Sequence, residues 1–179
     1  MSKKFADMTD EERLDAIRDC KFRQRFWAKV HKTGGGEWEC WEWTAAENSK
    51  GYGRVRVGGG LVYAHRAAYV LAHGLIPDGM QVDHRCGNRS CVRASHLRIV
   101  TPQQNQQHRT GLDARNTSGY RGVTWSKQRQ KWMAKAKRDG KHMTLGRFDD
   151  LEKAAQTVTD YRAEHYTHDD FHAWGTPAV

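Results

Sequence analysis

The sequence has little of what builds membrane spans or disulfide scaffolds. Its 179 residues include three prolines and four cysteines, and only 37% are hydrophobic. No apolar run approaches the roughly 18 residues that cross a bilayer, which argues against a membrane protein. Met1–Asp10 has no apolar stretch typical of a signal peptide. We therefore expect a cytoplasmic protein with reduced cysteines, in which closely spaced cysteines are more typical of metal binding than of disulfides.

Positive charge is what the chain has in excess. Lysine and arginine number 30 against 21 acidic residues, giving a net charge of +9, which indicates a polyanionic partner. Residues 1–108 hold 17 basic and 12 acidic side chains, residues 109–148 hold 11 and 2, and residues 149–179 hold 2 and 7. The middle stretch therefore carries the whole net charge. This distribution predicts two units joined by a short linker.

The coarse pattern predicts small strands and helices. Thr9 caps a helix to about Val30, followed by strands at Trp38–Trp43, Tyr52–Val57 and Leu61–Ala64, a helix at His65–His73, strands at Met80–Arg85 and Leu97–Val100, and a helix from Thr101-Pro102 to about Arg109. We expect an α+β fold with a domain at residues 26–109, preceded by an N-terminal helix at 1–25. A linker at 110–115, a second domain at 116–171 and a tail at 172–179 follow.

Three polar residues in the centre of the chain suit phosphodiester hydrolysis. Asp83 and Asn105 offer hard oxygen ligands for Mg²⁺ or Mn²⁺, and His84 is a base that titrates near neutral pH. Neighbours on a strand point to opposite faces, so Asp83 and His84 converge only at a strand end or a bulge. On spacing alone, a surface Asp-His pair without catalytic function is the alternative.

The segment from Phe26 to Arg109 resembles the HNH nuclease family, as found in phage homing endonucleases. The motifs that carry this resemblance are Asp83-His84, His96, Asn105, Ala64-His65-Arg66, Ile76–Gly79, Cys40–Trp43 and Gly51–Gly53. The resemblance implies a ββα-metal fold, a general base at His84, and metal ligands at Asp83 and Asn105. It also implies a cytoplasmic location in a bacterium or a phage-infected host. His96 stands where the family often has asparagine.

The cysteines suggest why a histidine stands there. Cys86 and Cys91 flank a four-residue loop, and His96 follows five residues later. With Cys40 as the fourth ligand they would form a closed zinc site, which would stabilise a small domain. The alternative is that these are small core cysteines. Arg66 and His65 are both candidates for a phosphate contact, and Arg66 is the stronger of the two.

The C-terminal unit predicts three strands and a helix. The strands are Tyr120–Ser126, Lys131–Lys137 and His142–Phe148, with a turn at Asp139-Gly140, and Asp149 caps the helix. One sheet face is apolar and the other basic, so the helix covers the first and leaves the second open to a DNA major groove.

Residues 116–171 resemble the plant ethylene-response (APETALA) DNA-binding domain. Tyr120–Val123, Trp132, Leu145-Gly146 and the alanine-rich helix carry this resemblance. It implies double-stranded DNA as the partner. The groove-facing positions are Arg121, Thr124, Ser126, Lys135, Lys137, His142, Thr144 and Arg147.

Together these patterns predict a site-specific DNA endonuclease with a catalytic Mg²⁺ or Mn²⁺ and a structural Zn²⁺. A DNA-binding regulator that uses the HNH fold as an inactive scaffold is the alternative. An RNA-binding zinc protein is a third reading, less favoured because no exposed aromatic pair lies on a basic sheet. The oligomeric state is left open.

Overall fold

The computed structural model describes residues 7–108, 112, 115–138 and 140–168, and it has a mixed α and β architecture with small sheets. The contacts divide the chain after Pro102 into two compact units, with residues 103–170 in the second. The predicted tail, Asp139 and most of the predicted linker lie outside the described residues. No helix in the described ranges is long and apolar enough to span a membrane.

The first unit combines short helices with two-stranded antiparallel hairpins. Its elements are α1 (Asp10–Arg18), α2 (Cys20–Trp27), β1 (Val30–Lys32), β2 (Trp41–Trp43), β3 (Arg54–Val57), β4 (Gly60–Tyr63), α3 (Ala64–His73), β5 (Gln81–His84), a 3₁₀ helix (Ala94–His96) and β6 (Leu97–Val100). The strands pair as β1-β2, β3-β4 and β5-β6. The predicted strand at Trp38–Trp43 is shorter than expected, and its partner β1 was not predicted.

The N-terminal helix is interrupted, which corrects the prediction of one helix to Val30. The capping box at Thr9 is present, with the Thr9 hydroxyl accepting from the Glu12 amide. The first helix ends before Asp19, whose carboxylate caps a second helix by accepting from the Phe22 amide at 2.8 Å. This restart places Phe22 and Phe26 in the core, where Phe26 packs against Trp43.

The second unit is a three-stranded antiparallel sheet with a helix on one face. The short helix α4 (Pro102–Gln107) begins at the division, and β7 (Val123–Ser126), β8 (Lys131–Arg138), β9 (Lys141–Phe148) and α5 (Leu151–His165) follow. The sheet order is β7-β8-β9. Small side chains form the core between sheet and helix: Val123, Ala134, Ala154, Ala155 and Val158.

The predicted helix cap is wrong by one residue. Asp150, not Asp149, accepts from the amides of Glu152 and Lys153. Asp149 instead accepts from Lys131 Nζ at 2.8 Å, so it joins the end of the sheet to the start of β8. Two consecutive acids left this choice open in the sequence, since either satisfies the helix N-terminus.

Candidate active site and metal centre

Three cysteines and a histidine lie together in the first unit. The ligand atoms of Cys40, Cys86, Cys91 and His96 are all within 4.8 Å of one another. The His96 Nδ1 atom lies 3.7 Å from Cys40 Sγ and 3.6 Å from Cys91 Sγ. A tetrahedral zinc ion with its usual bond lengths separates such ligand atoms by about 3.6 Å. The four predicted ligands therefore form a Cys₃His cluster of suitable dimensions.

Backbone hydrogen bonds hold the two parts of this cluster together. Cys40 directly precedes β2, and Cys91 lies in the loop that β2 contacts. The Trp43 amide donates to the Ser90 carbonyl at 2.9 Å, and the Val92 amide donates to the Trp41 carbonyl at 2.8 Å. These bonds bring Cys40 close to Cys86 and Cys91, which are distant from it in sequence.

His96 is oriented for metal binding through one nitrogen. Its Nε2 lies 2.8 Å from the carbonyl oxygen of Glu37, to which it donates. The neutral ring then presents the Nδ1 lone pair to the thiols, which is the usual arrangement of a ligating histidine. The Arg93 amide also donates to Cys91 Sγ at 3.5 Å, which stabilises negative charge on that sulfur.

The three thiols cannot all ionise together without a cation. Hydrogen bonds from Cys86 and then Cys91 lower the pKa of Cys40 to about 2, while the bond with Cys40 is the main cause that raises the pKa of Cys86. The bond with Cys40 also raises the pKa of Cys91 to about 11. A bound Zn²⁺ would supply the missing positive charge. The donor set and its geometry thus fit zinc.

The predicted catalytic pair lies at the end of β5. Asp83 and His84 are both buried, and His84 is the last residue of its strand. The Asp83 carboxylate accepts from Arg98 Nε at 3.0 Å, because the β5-β6 register places these residues opposite each other. The guanidinium stabilises the negative charge of the carboxylate in this buried setting.

One hydrogen bond determines the tautomer of His84. Its Nε2 donates to the carbonyl oxygen of Cys91 at 3.0 Å. A neutral imidazole has one proton, so the basic lone pair lies on Nδ1. The carbonyl that orients the ring belongs to a residue of the Cys₃His cluster.

His65 also belongs to this group. Its ring centroid lies 4.6 Å from that of His84, and only 6% of the residue is exposed. Burial, followed by the charges of His84 and Arg66, lowers the pKa of His65 from 6.5 to about 3. The sequence favours Arg66 over His65, but His65 and Ala68 share the buried side of α3 while Arg66 is exposed.

Two further residues, Arg66 and Asn105, were predicted for this centre. Arg66 is exposed on α3 and lines a groove with Asp10 and Arg13 of α1, and its role as a phosphate contact stays a prediction. Asn105 is half-buried on α4, which belongs to the second unit. How Asn105 is placed relative to Asp83 and His84 stays a prediction.

The cross-strand register of the second unit groups most of the predicted DNA-facing residues. Met133 on the central strand β8 pairs with Thr124 on β7 and with Arg147 on β9. Lys135 and Thr144 form the next pair on this face, and Lys137 and His142 the one after. Ser126 lies two residues after Thr124 on the same strand.

Arg121 is bound differently from these residues. Its guanidinium donates to the carbonyl oxygens of Gln106 at 2.6 Å and Gln107 at 3.0 Å. It therefore holds the end of α4, and its contact with DNA stays a prediction. Such an interaction with the last carbonyls of a helix also complements the helix dipole.

Comparisons with known proteins agree with the motif around His84. The HNH endonuclease family matches residues 62–107. The chain is similar to three proteins of Escherichia phage T7. Identity to Protein 7.7 is 45% over 69 residues, covering 38% of this chain and 53% of the relative. Identity to Protein 2.8 is 38% over 87 residues, covering 48% and 57%.

The third relative is covered more completely. Identity to Protein 3.8 is 32% over 107 residues, which is 60% of this chain and 85% of the relative. The chain spans about half the length of Proteins 7.7 and 2.8. No solved structure matches the chain significantly. The chain belongs to the family of phage Protein 3.8, and it contains an HNH endonuclease domain at residues 62–107.

Proposed function

We propose that the chain is a site-specific DNA endonuclease of the HNH homing type, acting in a phage-infected host cell. The observation that carries this proposal is the oriented His84 beside a buried, charge-paired Asp83, within the segment that matches the HNH family. A purely structural core has no need for this arrangement, because burying charged and titratable groups costs free energy.

His84 is the general base in this mechanism. Its Nδ1 takes a proton from the attacking water, and the Cys91 carbonyl that accepts from Nε2 keeps the ring in position and stabilises the imidazolium. Asp83 and Asn105 are the residues that would hold Mg²⁺ or Mn²⁺, and a carboxylate with an amide oxygen fits such hard cations. When bound, the ion stabilises negative charge on the leaving oxygen.

The Cys₃His cluster has a structural role in this proposal. A zinc ion held by four protein ligands has no open position for water, so it stabilises the fold and leaves the reaction to the other centre. The cluster joins β2 to the loop before the 3₁₀ helix, and this loop contains the carbonyl that orients His84. Zinc therefore supports the base indirectly.

The second unit is the DNA reader in this proposal. In support, Lys135, Lys137 and Arg147 share one side of the strand register, and Ala134 on the other side packs in the core with Ala154 and Val158 of α5. The resemblance to the ethylene-response domain and the +9 charge of residues 109–148 support a sheet that enters the major groove.

A plasmid assay tests the proposal against a DNA-binding regulator with an inactive HNH scaffold. Purified protein is incubated with supercoiled plasmid and Mg²⁺, with and without chelator. We expect metal-dependent conversion to nicked or linear DNA. Tight DNA binding without cleavage under Mg²⁺ or Mn²⁺ would support the regulator instead.

A further inference from the structure

The segment after α1 concentrates positive charge in the first unit. From Arg18 to Gly36 the chain has six basic side chains and one acidic side chain. The acid is Asp19, whose carboxylate already accepts from the Phe22 amide as the cap of α2. By contrast, α1 has three acidic residues in its first turn. A helix with basic side chains and no acid of its own therefore follows an acidic helix.

Two of these cations share one side of α2. Lys21 and Arg25 are four residues apart, which places them together on a helix, and both are exposed. Phe22 and Phe26 occupy the buried side of the same helix. Arg23 is exposed as well, but it lies two residues from each of them, about 200° around the helix. The helix thus presents two cations on one side and keeps Arg23 apart from them.

A hydrogen bond joins this side of α2 to β3. Arg25 Nη2 donates to the carbonyl oxygen of Arg56 at 3.3 Å. Val55 and Val57 are buried, so the alternation of the strand turns the Arg56 side chain outward, and the residue is exposed. Lys21, Arg25 and Arg56 form no ion pair with any carboxylate in the described ranges. Three exposed positive charges therefore lie side by side on α2 and β3.

The strand β3 leads from these cations towards the proposed base. Two residues before Arg56, the Arg54 Cζ atom lies 4.9 Å from the ring centroid of Tyr63, its register partner. The Tyr63 ring stacks on His65 at 5.6 Å, and the His65 ring lies 4.6 Å from that of His84. Two residues of a strand span about 7 Å. The cations are therefore close enough to His84 for one bound duplex to reach both.

We propose that Lys21, Arg25 and Arg56 form a second DNA-binding surface, the α2-β3 surface, which contacts backbone phosphates of the duplex outside the cleaved bond. The partner follows from charge complementarity, because duplex DNA carries one negative charge per about 1.7 Å of its axis. This inference rests on the proposed nuclease function and goes beyond it, since that proposal gives DNA binding to the sheet of the second unit. Phosphate contacts carry no sequence information, so the surface adds affinity without base preference.

Salt dependence tests these contacts. Binding of one fixed DNA duplex by the full chain is measured across salt concentrations in a His84→Ala background with chelator, which keeps the DNA intact. Lys21→Met, Arg25→Met and Arg56→Met should each reduce the slope of log affinity against log salt by about 0.9. Arg23→Met is the matched control and should leave the slope unchanged, because it removes a charge from another side of α2. Unchanged slopes in the three variants, or an equal reduction in the control, would overturn the surface.

A charge-keeping variant separates charge from folding. Arg25→Lys retains the positive charge and should retain the salt slope, whereas a loss equal to that of Arg25→Met would overturn the contact of Arg25. The Lys21 and Arg56 side chains make no hydrogen bond in the described ranges, so their substitution should leave the melting temperature at the wild-type value. These two variants decide the test if Arg25→Met melts at a lower temperature.

Cleavage distinguishes the failure of this inference from the failure of the proposed function. At saturating protein, Lys21→Met and Arg56→Met should cut plasmid at the wild-type rate, since the surface adds affinity and takes no part in the chemistry. If wild type cuts DNA and the slopes of all three variants are unchanged, the surface is wrong and the nuclease stands. If wild type never cuts DNA, the proposed function fails, whereas the salt slopes still decide whether the α2-β3 surface binds DNA.

Discussion

The two units differ in how they present their polar residues. In the first, His65, Asp83, His84 and His96 are buried among specific neighbours. In the second, Lys137, His142, Thr144 and Arg147 are exposed on one sheet face. Buried polar groups act through hydrogen bonds to defined partners, whereas exposed cations act through electrostatic attraction that salt screens. We therefore expect changes to these buried residues of the first unit to alter stability and chemistry, and changes in the second to alter DNA affinity.

The largest effect should come from the Cys₃His cluster. Cys86→Ser removes one ligand, and since zinc binding adds directly to folding free energy, we expect a loss on the order of several kcal/mol. Elemental analysis should find about one zinc per wild-type chain and less in the variant. Cys20→Ser is the control, because Cys20 is exposed and outside the cluster. Zinc-free wild-type protein with an unchanged melting temperature would contradict this role.

Loss of a proposed catalytic metal ligand should have the next largest effect. Asp83→Ala and Asn105→Ala should weaken metal binding by at least about 10-fold to 100-fold, so cleavage at fixed Mg²⁺ falls. Higher Mn²⁺ should restore part of the rate. The exposed Asp78→Ala serves as control in the same plasmid assay. A metal titration that is unchanged in both variants would place the metal elsewhere.

Acid should destabilise the first unit through His65. The folded pKa of about 3 lies below the ordinary 6.5, so between these values the unfolded chain binds a proton that the folded chain does not. Stability therefore falls as pH falls through this window, by about 1.4 kcal/mol per unit at most. Urea unfolding of wild type and His65→Asn checks this. Relative to wild type, the free energy of unfolding of the variant should rise by about 2 kcal/mol as the pH falls from 7.5 to 5. A difference independent of pH would contradict the burial argument.

The smallest effect should come from the second unit. Lys135→Ala and Lys137→Ala should each reduce the salt slope of DNA binding by about 0.9 if each contacts one phosphate. Lys153→Ala on α5 is the matched control, because the helix covers the other sheet face. Equal slopes in all three variants would show that this face does not contact DNA.

Spacing predicted the parts of the molecule that depend on local sequence. The Cys₃His cluster was predicted with all four members, because a loop flanked by two cysteines and followed by a histidine limits the arrangements of a metal site. Leu97–Val100 was predicted with its bounds, since a short β-branched run between turn residues is typical of a strand.

Long-range partners account for most of what the sequence did not show. Nothing local marks β1, which exists because Val30 pairs with Trp43. Nothing local marks the bonds from the Arg121 guanidinium to the carbonyls of α4, fourteen and fifteen residues away. Asp19 looked like one more helix residue, although its side chain starts a new helix that buries Phe22. Each depends on a contact that periodicity does not encode.

Separating rate from affinity tests the central claim most directly. Single-turnover cleavage at saturating protein and the dissociation constant for DNA are measured for wild type, His84→Ala and Lys137→Ala. We expect His84→Ala to lower the saturated rate by about 10²-fold to 10⁴-fold with nearly unchanged affinity. Lys137→Ala should weaken affinity with a nearly unchanged saturated rate. A wild-type rate in His84→Ala would contradict the account.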